Sequence, residues 1–401
     1  KEGLLLEAFH HAVAAGETER AEALARGGET PLHLRGGVTE VLFWLGSLST
    51  SLLDERPELW VLYASALSTV ARKEEVQEKL RQAESSLARR ESRPGSDDLR
   101  GQIAAIRAME AAGNYEVESL LTESRRALKL LDPGNLPPRI GATWTLGFAH
   151  QIRGERVAAR KAYTEAVALS RSTGNIFMEI LAATGLGIIQ EAETELRSAE
   201  ATFRGAVVLV EDRLEPALCE AHLGLARLAY QKNELENAEN EAGRGYELAL
   251  KIPVVDTYVA CTLQQAEIRL ARGELRETEK LLQEARAEAG ARGFGEQLPR
   301  IGEAEVQLLL HRGELEEAMR LARKETLPLG EARALLAAGE GSAATAILTP
   351  LREEARAAGR RDELLRLTLL EAAGRNGAGD VEAATELLAE LLPVAEREGY
   401  L

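Results

Sequence analysis

The sequence has few aromatic residues and no excess of positive charge. Phe, Trp and Tyr make up 4% of the 401 residues, whereas hydrophobic residues reach 45% and Ala and Leu are abundant. This mixture favours helix over strand, so a β-sandwich or a β-barrel is excluded. The 65 acidic residues outnumber the 49 basic ones and give a net charge of −16. We expect no direct contact with nucleic acid or another negatively charged polymer, because such partners require a basic surface.

Cysteine is scarce, and the sequence lacks long apolar runs. Cys219 and Cys261 cannot form a disulfide framework in a chain of 401 residues, so the cytoplasm is the expected compartment. The best apolar run, residues 176–189, is interrupted by Glu179 and by two glycines, and no membrane association is expected. The sequence begins with Lys and lacks a signal-peptide pattern, which predicts a piece of a longer protein.

The motifs of common enzyme classes are also missing. The sequence has no His-Glu-x-x-His, Gly-x-Ser-x-Gly, Cys-x-x-Cys or Gly-x-Gly-x-x-Gly, so we predict no catalytic residues and no enzyme activity. The neighbouring residues His10 and His11 point about 100° apart on a helix and cannot easily share one ion. No metal site is therefore predicted.

What the sequence does contain is a short motif that recurs with a nearly constant period. A turn-forming residue is followed by an acidic residue and, in most copies, by Ala at a fixed distance. The copies begin at Gly16, Gly154, Thr194, Asn233, Gly273, Gly313 and Gly379. The steps from Gly113 through these positions to Gly313 are almost equal, and a clearly shortened unit then leads to Gly339. Glycine suits a left-handed helix end, and an acidic residue suits the next helix start.

The motif therefore predicts an all-α solenoid of nine or ten helical hairpins. Small residues such as Gly147 and Ala159 would let paired helices approach closely, while Tyr163 or Phe203 would fill the gap to the next pair. These positions resemble the tetratricopeptide repeat, although the period is about 40 rather than 34 residues. The resemblance implies a right-handed superhelix. We predict one array over residues 1–401, with an N-terminal subarray 1–90 and a main array 99–401 on either side of an interruption at Arg89–Asp98. A second interruption covers Leu131–Arg139.

A narrower resemblance rests on several segments spread along the chain. They are Glu7–Ala21 (EAFHHAVAAGETERA), Leu42-x-x-Leu45, Leu53-x-x-Arg56-Pro57-x-Leu59, Ala221–Ala226 (AHLGLA), Asn233–Glu239 and Glu398–Leu401. They are similar to the sensor region of MalT-like regulators, ATP-dependent transcription activators of the LuxR family and STAND class. The resemblance implies a small-molecule inducer, contacts with the other modules of the same regulator, and homo-oligomerisation of the full-length protein. No phosphate-binding Gly-x-x-x-x-Gly-Lys motif occurs, so ATP and any other cofactor are expected only on a module outside this sequence.

The candidate inducer site follows from the same resemblance, since the first helix of each pair lines the concave surface in such arrays. Polar and aromatic residues on those helices are Trp144, His150, Gln151, Gln190, His222, Tyr230, Tyr258, Gln264, Gln265, Gln307 and His311. Together they would offer a stacking face and oriented hydrogen-bonding groups. Taken alone, each residue is better explained by helix packing or a solvated surface, but we expect two or three of the set to contact a ligand. Two further alternatives stay open: a groove that binds a peptide or partner helix, and a thiol switch or simple burial at Cys219 and Cys261.

Overall fold

The computed structural model describes residues 2–27, 31–35, 37–89, 95–210, 215–252 and 256–398. In these ranges it has 22 α-helices and no strand, which confirms the predicted all-α solenoid. Two compact units divide the chain: unit 1 (Lys1–Gly185) and unit 2 (Leu186–Leu401). Residues 90–94, inside the predicted interruption at Arg89–Asp98, and residues 399–401 lie outside the described residues. No helix in the described ranges is both long and apolar enough to span a membrane.

Unit 1 consists of consecutive antiparallel helices with short connections. Its helices are α1 (Glu2–Ala14), α2 (Thr18–Arg26), α3 (Val38–Ser47), α4 (Thr50–Glu55), α5 (Pro57–Thr69), α6 (Lys73–Ala88), α7 (Ser96–Gly113), α8 (Val117–Leu130), α9 (Leu136–Ile152) and α10 (Arg156–Thr173). The unit boundary falls within α11 (Ile176–Ala192). The predicted interruption at Leu131–Arg139 is the short connection between α8 and α9, together with the first residues of α9.

Unit 2 continues the same pattern of hairpins. Its further helices are α12 (Leu196–Val208), α13 (Cys219–Gln231), α14 (Leu235–Ala249), α15 (Thr257–Ala271), α16 (Leu275–Arg292), α17 (Leu298–His311), α18 (Leu315–Lys324), α19 (Pro328–Ala337), α20 (Gly341–Ala357), α21 (Arg361–Gly377) and α22 (Val381–Glu398). The predicted shortened unit is confirmed, because α18 and α19 have only ten residues each.

The recurring motif forms the corner inside each hairpin. Its first residue has a positive φ between 60° and 87° at Gly16, Gly154, Thr194, Asn233, Gly273, Gly313, Gly339 and Gly379. At one corner the amide of Glu155 donates to the carbonyl of His150 at 2.8 Å, and Gly154 donates to Gln151 at 3.0 Å. These bonds satisfy carbonyl groups that the end of the helix leaves free. The corner predicted at Gly113 lies two residues later, because α7 includes Gly113 and the left-handed residue is Tyr115, with φ 56°.

Glycines and aromatic rings interlock between neighbouring hairpins. In unit 1, Tyr163 is 1% exposed, and Cβ atoms placed on Gly147 and Gly185 would stand 2.9 Å and 2.4 Å from its ring. In unit 2, Phe203 is fully buried in the same way beside Gly187 and Gly224. The predicted close packing of small residues around Tyr163 and Phe203 is thus confirmed.

Helix contacts define an inner side of unit 2. The first helices of successive hairpins pack on one another: α13 on α15, α15 on α17, α17 on α19, and α19 on α21. The described second helices, α14 to α20, lack comparable contacts with each other. Helices on the inside of a curve lie closer together, so the odd-numbered helices form the inner surface of unit 2. An ion pair at 3.3 Å between Arg361 of α21 and Glu193, directly after α11, links the first and last hairpins of this unit.

Candidate functional site

The predicted site residues of unit 1 are engaged mainly in local packing. The ring of Trp144 stacks on Phe148 with centroids 5.6 Å apart, and its buried Nε1 has no hydrogen-bond partner. His150 is buried with Nδ1 2.5 Å from Oε2 of Glu155, in the corner of its own hairpin. Gln151 accepts a hydrogen bond of 2.7 Å from the hydroxyl of Tyr163. His150 and Gln151 thus have partners in the α9–α10 hairpin.

Two predicted residues of unit 2 point toward second helices rather than into the inner surface. His222 is buried, with Nδ1 2.6 Å from Oε2 of Glu241 on α14. Tyr258 donates to Oε2 of Glu288 on α16 at 3.1 Å, and the guanidinium of Arg292 lies 5.0 Å from the ring centroid. Burial and the bond to Glu288 raise the pKa of Tyr258 to about 12. Tyr258 lines a small open pocket between α14, α15 and α16.

Three glutamines on successive first helices each have a buried amide atom without a hydrogen-bond partner. These atoms are Oε1 of Gln190 on α11, Oε1 of Gln231 on α13 and Nε2 of Gln264 on α15. Gln190 and Gln264 belong to the predicted site, whereas Gln231 was missed. Buried amides are nearly always hydrogen-bonded in folded proteins, so three such atoms in neighbouring hairpins require an explanation.

Sequence reasoning also missed a group of charged residues on the inner surface. We call Arg227 of α13, Arg300 of α17, Arg333 of α19 and Arg366 of α21 the inner arginine cluster. Glu267 of α15 lies within electrostatic reach of all four guanidinium groups. The predicted residue Tyr230 lies close to both Arg333 and Glu267. Residues Gln231 and Gln264 lie one helical turn from Arg227 and Glu267, respectively, and therefore share their helix faces.

The four arginines differ in how well they are paired. The guanidinium of Arg227 binds both carboxylate oxygens of Glu191, at 2.5 to 3.1 Å. Arg333 lies 3.3 Å from Glu303, whose other carboxylate oxygen accepts from the amide of Gly330 at 3.0 Å. Arg300 donates to the amide oxygen of Gln297 at 3.2 Å. In the described ranges Arg300 has no carboxylate in direct contact, and Arg366 has neither a hydrogen bond nor an ion pair.

Burial and the neighbouring charges shift the pKa values of three of these groups. Burial raises the pKa of Glu267 and outweighs the four arginines that act against it. Desolvation lowers the pKa of Arg300, and the positive charges of Arg227 and Arg366 lower it further. The pKa of Arg333 is lowered in the same way by desolvation and by Arg366. Arg300 and Arg366 are nevertheless exposed. The inner surface therefore carries accessible positive groups near the carboxylate of Glu267.

Comparison with known families and proteins places these features in context. Residues 101–401 match the family described as the MalT-like TPR region. The chain is 29% identical over 316 residues to the HTH-type transcriptional regulator MalT of Yersinia enterocolitica, and 28% identical to that of Yersinia pestis. Each match covers 77% of this chain and 34% of the relative. The chain thus spans about a third of the length of these regulators.

Solved structures share the fold at low sequence identity. A Rap protein complexed with Competence and Sporulation Factor has a TM-score of 0.55 at 11% identity, covering 99% of this chain and 98% of that protein. The apo form of RapI has a TM-score of 0.51 at 12% identity, covering 71% and 99%. The Rap conjugation gene regulator of plasmid pLS20, in complex with the Phr* peptide, has a TM-score of 0.50 at 12% identity, covering 84% and 97%. The likeness extends to the helical-repeat fold only. From the family match over residues 101–401, we conclude that this chain belongs to the MalT-like TPR region family.

Proposed function

We propose that this chain is the effector-sensing region of a MalT-type transcription regulator. It binds a small molecule on the inner surface of unit 2 and thereby controls autoinhibition and oligomerisation of the whole regulator. ATP binding and DNA binding belong to other modules of that regulator. The chain itself carries out no catalysis, in keeping with relatives that are transcription regulators.

One observation carries this proposal: the unpartnered amide atoms of Gln190, Gln231 and Gln264 on three successive first helices. Leaving a buried polar group without a partner costs about 1–3 kcal/mol, so such groups are expected where a bound molecule completes the hydrogen bonds. Gln231 shares a helix face with Arg227 of the inner arginine cluster, and Gln264 shares one with Glu267. A small polar molecule on that surface would contact several hairpins at once.

Contact with several hairpins gives the ligand a way to act on the rest of the regulator. A molecule that bridges neighbouring first helices favours one curvature of unit 2 over another. To convert a 1:99 mixture of active and inactive states into 99:1, it must bind the active state more tightly by about 5.5 kcal/mol. This coupling needs differential binding and no chemical step.

A capture experiment tests the proposal without assuming the ligand. The chain is incubated with a small-molecule extract of bacterial cells and washed, and bound compounds are identified by mass spectrometry after denaturation. We expect a compound to be released from the wild-type chain and lost from Gln264→Leu. The control Gln283→Leu makes the same change at an exposed position of α16 and keeps the compound. If the wild-type chain releases nothing that the Gln264→Leu chain lacks, the proposal is wrong.

A peptide-binding scaffold is the second candidate. It is favoured by the likeness in fold to the pLS20 regulator, whose structure contains the Phr* peptide. The same capture experiment separates the two candidates, because the released compound is then a peptide rather than a small metabolite. Loss of that peptide from the Gln264→Leu chain would show that it binds on the inner surface.

A further inference from the structure

We infer that the effector carries an anionic group, a carboxylate or a phosphate, and that Arg300 and Arg366 of the inner arginine cluster bind it. This inference deepens the proposed function and rests on it. It adds the chemical class of the ligand and the residues that select it.

The first step is the convergence of the arginines. Arg300, Arg333 and Arg366 lie on three first helices that pack side by side, α17 on α19 and α19 on α21. Glu267 on α15 is three hairpins away from Arg366 along the chain, yet each lies within the electrostatic reach of the other. The ion pair between Arg361 and Glu193 supports the same arrangement, because it joins the ends of unit 2. The arginines therefore line one continuous surface instead of separate patches.

The second step is the balance of charge within this surface. Glu191 neutralises Arg227 through a two-point contact, and Glu303 lies against Arg333. Asp256 lies close enough to act on Arg300, but its carboxylate accepts a hydrogen bond of 2.6 Å from Gln297 instead.

Glu267 is the remaining candidate to neutralise the free arginines. Within the described residues it forms no hydrogen bond or ion pair with any member of the cluster, although it stands in the field of all four. Arg300 and Arg366 consequently keep guanidinium groups without a carboxylate contact. A guanidinium presents a planar set of donors that matches a carboxylate or a phosphate, and its charge persists at every physiological pH.

The third step concerns selectivity. Glu267 would repel a second negative group in the middle of the cluster, but it would accept hydrogen bonds from a hydroxyl or an ammonium group. Nε2 of Gln264, one turn away on α15, is a free donor for a further oxygen atom. The surface therefore suits a small molecule with an anionic end and a hydroxylated or amino-bearing body, such as a hydroxycarboxylic acid or a sugar phosphate.

The test is calorimetric titration of the whole chain at constant ionic strength. The probes are citrate, glucose 6-phosphate, inorganic phosphate and a neutral maltodextrin. We expect citrate or glucose 6-phosphate to bind more tightly than inorganic phosphate, and the maltodextrin not to compete. Binding of citrate alone identifies a carboxylate ligand, and binding of glucose 6-phosphate alone identifies a phosphate ester.

Substitutions of the two exposed arginines locate the site. Arg300→Gln and Arg366→Gln should each weaken binding by about 10- to 100-fold, the loss expected for a charge-assisted hydrogen bond. The matched control Arg320→Gln, at an exposed position of α18 that pairs with Glu317, should bind as the wild type does. Because Arg300 and Arg366 are exposed, all three variants should keep the helical content and melting temperature of the wild type.

Three results would overturn the inference: no anionic probe binds the wild-type chain at millimolar concentration, Arg300→Gln and Arg366→Gln bind as tightly as wild type, or Arg320→Gln weakens binding equally. Failure of the proposed function looks different. If the capture experiment yields a neutral small molecule, the sensing function stands and the anionic ligand class is wrong. If it yields no compound at all, both are wrong.

Discussion

Replacing Gly147 with alanine tests whether the aromatic rings between hairpins require glycine beside them. Gly147 lies in α9, and a Cβ atom there would stand 2.9 Å from Cδ1 and Cε1 of Tyr163. The ring cannot easily move, because it is 1% exposed and its hydroxyl donates to Gln151 at 2.7 Å. Real Cβ contacts of this length essentially do not occur, so either the ring or the helix must shift.

Two opposing effects determine how Gly147→Ala changes the free energy of unfolding. Replacing glycine by alanine inside a helix stabilises by about 1 kcal/mol. Overpacking a filled core costs about 1–3 kcal/mol, so Gly147→Ala should be less stable than the wild type by up to about 2 kcal/mol. Gly141→Ala is the matched control in the same helix, since its nearest contact would be an ordinary 3.8 Å to Met109. That variant should gain about 1 kcal/mol.

Urea unfolding followed by tryptophan fluorescence measures this difference, because all three tryptophans lie in unit 1 with Gly147. The two alanine variants should differ by about 1–3 kcal/mol. In a Tyr163→Leu background the cost of Gly147→Ala should disappear, since the ring that causes it is gone. Equal stability of Gly147→Ala and Gly141→Ala would refute the interlocking of glycine and ring.

Three further predictions concern buried groups. Burial lowers the pKa of His33 to about 4. As pH drops, His33 is therefore protonated in the unfolded chain before it is protonated in the folded chain. The free energy of unfolding should fall by up to about 3 kcal/mol between pH 6.5 and pH 4. The difference between wild type and His33→Asn in urea unfolding isolates this loss, and a pH-independent difference contradicts it. Burial raises the pKa of Cys219 to about 12 and that of Cys261 still higher. Both thiols should therefore react with a thiol reagent only after the chain unfolds. Labelling of the native chain would support the thiol switch instead. Glu371 is fully buried and accepts from Arg352 at 2.7 Å. Glu371→Gln removes the buried charge that Arg352 and Arg375 share and leaves Arg352 only the exposed Glu353. It should cost about 3 kcal/mol in unfolding followed by circular dichroism, whereas an unchanged midpoint would show that the buried pair adds no stability.

The repeat architecture was predictable because it depends on local chemistry. The corner residues at Gly154 and Gly273 require a left-handed backbone, and that requirement is visible in the sequence as glycine before an acidic residue. Thr194 and Asn233 adopt the same conformation with φ 60° and were found through their spacing. The corner at Tyr115 was misplaced by two residues, because Gly113 offered the expected glycine while the helix continued through it.

The candidate site was only partly predictable, since it depends on which face of each helix turns inward. The prediction selected residue types that suit ligands, and it included Gln190 and Gln264, whose amide atoms lack partners. His222 and Tyr258 have the same chemistry, but their side chains point to second helices. A polar or aromatic residue on the first helix therefore does not identify the inner surface without the rotation of that helix.

The inner arginine cluster escaped detection because its period differs from that of the corners. Arg300, Arg333 and Arg366 are evenly spaced along the chain, but their interval is shorter than the regular step between corners and longer than the one shortened step. Arg300 and Arg366 each stand 13 residues before a corner, whereas Arg227 and Arg333 each stand 6 residues before one. A search at one fixed distance from the corners therefore finds only two of the four, and only the packing of α17, α19 and α21 shows that they belong together.

The net charge of −16 and an anion site on the inner surface are compatible because they act over different distances. At physiological ionic strength charges separated by more than about 8 Å are screened from each other. A long polyanion must approach the whole acidic exterior, whereas a small anion inside unit 2 experiences mainly the guanidinium groups that line it. The acidic composition therefore argues against nucleic acid as a direct partner of this chain, but it does not determine whether a small ligand is positively or negatively charged. The local arrangement of Arg300 and Arg366, without carboxylate partners in the described residues, favours a negative one.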